Sequence, residues 1–351
     1  MSIRLVFFLS LWGTWMQATP LQGKDLFDSE EPLEISLKGN ISALFKDLKG
    51  KPEYHPFLLC SQPTTGQPEE IEVKVRTRGH FRREMGICSY PPLLLNFPNK
   101  GKNPGVFQGY DKLKLVMPCK GERFVLREYY VYKAFQILNP AGLKVRLVRL
   151  SLLDTAGKKQ KTETLWGFLL EEEDALTART GDLLVERDLI RPHQTSLDPF
   201  LLMAMFQLMI GNTDWSIEYR QNIYLLRKTE SDKPVPMPYD FDHAGLVNAP
   251  YAKPAPELEM GTVTERRYRG FCIEDMEEYT STLGKFRAQK NSLYSLYRDS
   301  RVLEEKDIKY SIQYLDEFFS LIDQPKKLHT MLSYPCVPGS TGKVIIKGLK
   351  Q

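Results

Sequence analysis

Four polar residues sit at the margins of apolar runs in the middle of the chain: Asp214 and Asn222 in MIGNTDWSIEYRQNIYLL, Asp240 and Asp242 in PMPYDFDHAGLV. Hard oxygen ligands in that number suit Mg2+ or Mn2+, which take carboxylates and amides and commonly keep water or phosphate as further partners. Turn chemistry accounts for any one of them, since Asp and Asn favour turns. It accounts less well for the set. Asp214 follows an apolar, helix-like run through GNT, Asn222 opens the strand-like IYLL eight residues later, and Asp240 ends the next strand-like run. Pairing those two strands as a hairpin brings Asp214, Asn222 and Asp240 to one end of it.

Basic groups lie upstream. In DKLKLVMP, Lys112 and Lys114 share one face of a strand whose other face is Leu113 and Leu115. Glu128 follows Lys114 by fourteen residues, in the first turns of the helical segment GERFVLREYYVYKAFQIL. Arg78, Arg82 and Arg83 of RTRGHFRREMG are suited to phosphate oxygens, and equally to a solvated hairpin tip. His243, beside the acids, suits a local hydrogen bond. The basic run TERRYRGF is usually a solvated type, though it could grip an anionic acceptor.

Two kinds of element must hold these side chains. Over residues 24–120, LEISLKG, EEIEVKVRTRG, PPLLLNF and DKLKLVMP are strands, the second alternating Ile71, Val73 and Val75 with Glu72, Lys74 and Arg76. After the helix that NPAG stops, LKVRLVRLSLLD and TETLWGFLLEE are two further strands. SLDPFLLMAMFQLMIG has Ser196 as a helix N-cap and is too long and apolar for a strand. Residues 274–332 are amphipathic helices. The expectation is an α+β chain of two parts: a strand-rich lobe at 24–173, a helix-rich lobe at 174–335, and a tail at 336–351.

Composition is that of a globular protein, 42% hydrophobic and 26% charged over 351 residues. A net charge of +4 makes nucleic acid a weak expectation. MSIRLVFFLSLWGTWMQATP has one basic residue, a short apolar run and small residues to Ala18, the layout of a secretory signal over 1–18. The mature protein is expected to be exported, periplasmic or secreted, with no stable membrane span. Five cysteines then permit disulfides, and Cys88 with Cys119 is the favoured pair because both border strand-like segments of the same part. Their spacing matches no zinc site.

The lysine strand, the LREYYVYKAF helix, the GFLLEE strand, GNTDW…QN and PYDFD, in that order, resemble the protein-kinase-like superfamily. The nearest resemblance is to the atypical CotH kinases, with HipA-type kinases more distant, and it spans residues 65–325. It implies a two-lobed kinase-like fold that transfers the γ-phosphoryl group of ATP, with Mg2+ or Mn2+, to a protein or small hydroxyl acceptor. Lys114 would contact the ATP phosphates with Glu128 paired to it, and Glu172 would lie at the hinge near the adenine. Asp214 would be the catalytic acid, and Asn222 and Asp240 metal ligands, with Asp242 a further one. Arg78 would take the part of a phosphate loop. Three departures stand out: Asn222 follows Asp214 by eight residues where kinases use about five, GxGxxG is absent, and DFD replaces DFG. A secreted pseudokinase-type binding or coat protein also fits, and a DxD glycosyltransferase ranks third, since its alternating β-α order is not seen here.

Overall fold

The computed structural model describes residues 26–344 except 63–66, 80, 85, 99–101, 158–160 and 187–188, so the secretory-signal segment lies outside the described residues. In chain order it has β1 (Leu33–Gly39), α1 (Ile41–Leu44), β2 (His55–Gln62), β3 (Glu69–Thr77), α2 (Phe81–Glu84), β4 (Leu93–Asn96), β5 (Lys112–Val116) and α3 (Glu122–Leu138). There follow β6 (Val145–Asp154), β7 (Lys161–Leu170), α4 (Glu173–Thr180), β8 (Leu183–Leu184), α5 (Leu197–Ile210), β9 (Ile223–Arg227) and β10 (Val235–Pro238). Three helices complete it: α6 (Thr280–Arg298), α7 (Glu305–Ile322) and α8 (Pro325–Leu332). The chain is therefore α+β, strands first and helices later.

The strand-rich part is a closed barrel in the order β1-β2-β3-β4-β5-β7-β6, shut by a parallel pairing of β1 with β6 from Leu33↔Val148 to Gly39↔Asp154. Alternation builds it. Ile35, Leu37, Phe57, Leu59, Ile71, Val73, Val75, Leu113, Leu115 and Leu150 pack as one buried cluster, while their strand neighbours point outward. In the barrel, β2 is the strand that pattern reading misses, because FLLC does not alternate by residue type even though burial alternates along it at Phe57, Leu59 and Ser61.

Outward apolar residues of the barrel join a second core. Val116, Val145, Leu147, Phe168 and Leu170 meet α3, α5, α6, α7 and the small sheet β10-β9-β8. α5 is buried on every side from Phe200 to Ile210, as a central helix must be when its sequence has no polar stripe. Its Ser196 makes no side-chain cap; the hydroxyl instead donates to the Lys233 carbonyl at 3.1 Å. Helix α3 belongs to this second core although its sequence lies among the strands. Arg127 of α3 is fixed at 2.7 Å to Asp307 of α7 and donates to the Val247 carbonyl at 3.1 Å.

Disulfides join Cys88 to Cys119 and Cys272 to Cys336, leaving Cys60 free. The first is the pair expected from sequence. It ties the β3–β4 connection to the approach to α3. Among the described residues no helix is long and apolar enough to cross a membrane.

Candidate active site

Helix α5 ends at Gly211, whose φ of +66° is a left-handed cap. A Cβ there would lie 2.0 Å from the Tyr314 hydroxyl oxygen, so glycine answers both the backbone and the space. The turn then delivers Asp214, whose amide donates to Asn212 Oδ1 at 3.0 Å. One oxygen of the Asp214 carboxylate accepts from Gln221 Nε2 and the other from Asn222 Nδ2 at 3.1 Å, and Asn222 also donates to the Asp214 carbonyl at 2.7 Å.

β9 and β10 pair antiparallel, Ile223↔Pro238, and the ladder continues through Tyr239 N–H to the Asn222 carbonyl at 3.0 Å. Asn222 and Asp240 therefore come together at the end of the hairpin. Both are left-handed, φ +54° and +57°. Asn and Asp tolerate that region better than other side chains, and such backbone often marks functional sites. The Asp240 amide donates to the Tyr132 hydroxyl of α3 at 2.8 Å. Phe241 is fully buried between Tyr132 and Phe206, with ring centroids at 4.7 and 5.6 Å. The apolar residue inside DFD is thus the anchor that holds the acids on either side of it.

Opposite the acids stands Arg82, on the one-turn helix α2 and 8% exposed. Its three nitrogens reach three carboxylates: Nε to Asp242 at 3.2 Å, Nη2 to Asp240 at 3.0 Å and Nη1 to Glu128 at 3.6 Å. The neighbouring Arg83 serves the loop itself, donating to the carbonyls of Gly79, Leu48 and Gly50. Neither is a solvated hairpin tip. Tyr251 completes the group by donating to Asp242 at 3.1 Å.

The Lys114–Glu128 pair expected from sequence does not form. Lys114 lies 3.4 Å from Glu172 and donates to the Tyr224 hydroxyl at 2.9 Å. Register explains this: Lys114 pairs with Leu170, so Glu172, two residues on, lies diagonally beside it on the same face. The hairpin covers that face with the stacked rings of Tyr224 and Tyr239, centroids 4.3 Å apart, and Lys114 lies over both. Glu128, 2% exposed, turns instead to Arg82.

The charges bear the marks of crowding. Burial lifts the Glu128 carboxyl to about 8 even with Arg82 beside it. Burial and then Asp242 lift Asp240 to about 6. Asp242 is held below the usual carboxylate range: burial opposes this, but Arg82, His243 and the Tyr251 hydroxyl outweigh it. Burial also raises Asp214, against the pull of His243. His243 rises despite its own burial because Asp242, Asp214 and Asp240 favour its cation. Burial lowers Lys114, with Arg78 adding to the effect. Arg78 adds its positive charge to the surroundings of Lys114, Glu128 and Asp240 alike.

Asp214, Asn222, Asp240 and Asp242 are brought together, with Glu128 reaching them through Arg82 and Lys114 with Glu172 forming a neighbouring pair. Arg82 is the residue whose central place pattern reading misses, since three arginines in six residues look alike until one is buried. Gln221, Tyr132, Tyr224 and Tyr251 carry no sequence signal of this kind; only their contacts reveal them.

No protein-family model matches the chain, and no curated protein matches it in sequence. Among solved structures it is similar to the Helicobacter pylori proinflammatory kinase CtkA, at 15% identity and a TM-score of 0.37, over 69% of this chain and 91% of that one. A likeness at that level is no guide to the site or its chemistry.

Proposed function

We propose that the chain is a kinase-like phosphotransferase that moves the γ-phosphoryl group of ATP to a hydroxyl of a protein or small-molecule acceptor. The observation that carries this is the convergence of Asp214, Asn222 and Asp240 at one end of the β9–β10 hairpin, beside a barrel face bearing Lys114. In this reading the barrel and the helical part act as the two lobes of a kinase-like arrangement. Asp214 accepts the proton of, or orients, the acceptor hydroxyl; each of its oxygens accepts one hydrogen bond and keeps a lone pair for another. Arg78 and Lys114 face the phosphates, and Glu172 fixes Lys114 from the end of β7.

Among the described residues no three His, Cys, Asp or Glu side chains are grouped as a metal site. The donors at hand, the Asp240 carboxylate (35% exposed) and the Asn222 amide oxygen, fit a hard cation that takes its other ligands from water or phosphate. Asp242 is the more enclosed candidate ligand, 7% exposed and turned to Arg82. Mg2+ or Mn2+, when bound, would neutralise charge on the transferred group, and positioning would do the rest. Export to an oxidising compartment is part of the proposal, and the two disulfides are compatible with it.

ATP with Mg2+ or Mn2+ is expected to raise the melting temperature of the wild type, and Asp240→Ala to abolish the rise while staying folded. Transfer of labelled γ-phosphate to an acceptor, lost in Asp214→Asn, completes the test. Absence of any shift with folded protein refutes the reading. A second reading, a nucleotide-binding protein without turnover, is favoured by the engagement of Lys114 with Glu172 and Tyr224. It expects the thermal shift without the transfer.

A further inference from the structure

We infer that Arg82 is an internal counter-ion that holds Asp240, Asp242 and Glu128 together in the metal-free protein, and that a divalent cation competes with it for the two aspartates. The inference rests on the reading above for the identity of the cation. Its basis is the way the guanidinium is used. Each of its three nitrogens goes to a different carboxylate, and those carboxylates come from two elements, Glu128 from α3 and the aspartates from the segment after β10. All three lie within ion-pair distance of one buried cation. An arginine fork commonly gives two nitrogens to one carboxylate; this one is spread over three. Three carboxyl groups thus share this one guanidinium, with Arg78 and His243 the other basic groups that act on them.

Arg82 occupies the position between Asp240 and Asp242 at 3.0 and 3.2 Å. Asp240 and Asp242 are also the carboxylates that would hold a divalent ion. A cation held by the same carboxylates would be repelled by the guanidinium, since like charges in low-dielectric protein repel strongly. The two cations therefore compete for these carboxylates. The loop itself is pinned, since Arg83 is bonded to the Gly79, Leu48 and Gly50 carbonyls and the Cys88–Cys119 disulfide closes its far side. The exchange therefore moves the side chain of Arg82 rather than its backbone. Glu128 is left as the anchor to which the displaced guanidinium can turn.

The test uses Mn2+ alone, read by the loss of free-ion electron paramagnetic resonance signal on the full oxidised chain. Arg82→Gln is expected to bind Mn2+ at least about tenfold tighter than wild type. Arg82→Lys should fall between, because one ammonium cannot hold three separated carboxylates. Adding Asp240→Asn to Arg82→Gln should remove the gain. Should Arg82→Gln not fold, wild type still decides: the Arg82 Nε–H resonance, assigned by its absence in Arg82→Lys, is expected to shift or broaden on adding Mg2+. Wild type and Arg82→Gln binding Mn2+ equally, or an Nε–H resonance indifferent to Mg2+ at saturation, overturns the competition and leaves the metal site standing. Folded proteins that bind no Mn2+ with or without Arg82 overturn both the competition and the metal part of the proposed function.

Discussion

Glu128 shows how one buried carboxyl can set a pH dependence. Its folded value of about 8 lies above that of an exposed glutamate, because burial disfavours the ion more than Arg82 restores it. A group raised on folding contributes stability fully below its unfolded value, near 4.3, and loses that contribution as pH rises through the folded value. Stability is therefore expected to fall between about pH 4.5 and 8 through this residue. Glu128→Gln should flatten that slope in urea unfolding measured across the same range. An unchanged slope would show that Arg82 holds Glu128 ionised throughout. At this scale the acids of GNTDW and DFD were legible, because hard-ligand residues at the ends of apolar runs are visible as types. Arg82 was not, since what distinguishes it from Arg78 and Arg83 is the set of carboxylates around it, drawn from residues 46 to 160 positions away.

Elements turn those side chains into a site. The strand β3, the pair β6 and β7, helix α3 and helix α5 were readable from periodicity alone. The turn after α5 was readable from Gly211, and the hairpin from two apolar runs separated by polar residues. The connection from β3 to β4, by contrast, reads in sequence equally as a phosphate-meeting turn or a solvated hairpin tip, and is a built element in the fold. Its Cys88–Cys119 bond spans 31 residues, and closing a loop of that length contributes about 3–4 kcal/mol in the chain-entropy view. Cys88→Ala with Cys119→Ala is expected to lose a stability of that order in denaturant titration. It should also weaken ATP-dependent stabilisation, because the same connection carries Arg78 and Arg82. Loss of stability without any effect on nucleotide response would detach that loop from the site.

The whole molecule depends on α3, which sits among strands in sequence and among helices in space. Arg127 joins it to α7 through Asp307, to the segment after the site through the Val247 carbonyl, and to the Tyr310 ring at 4.2 Å. Asp307 is 1% exposed, so removing its partner strands a buried charge, although Arg123 at 2.6 Å retains part of the pairing. Breaking such a pair costs about 3–5 kcal/mol. Arg127→Met should approach that loss in thermal or urea unfolding, with Arg123→Met, at a more exposed side chain, costing less. Equal losses would mean that exposure does not govern this cluster.

Alternation and helical period by themselves determined that strands come first and helices later; the meeting of Asp214, Asn222 and Asp240 followed on the condition that their two strands pair, and Cys88 with Cys119 was favoured by the strand-like segments both border. Those are local matters, or matters of two neighbouring strands, and the chain's own chemistry settles them. Tertiary structure decided the closure of the barrel by the parallel β1–β6 pairing, the turning of Lys114 to Glu172, and the gathering of Glu128, Asp240 and Asp242 around Arg82. Each of these joins groups remote in sequence. Which buried charge finds which partner depends on register, helix packing and the cost of leaving any of them unpaired.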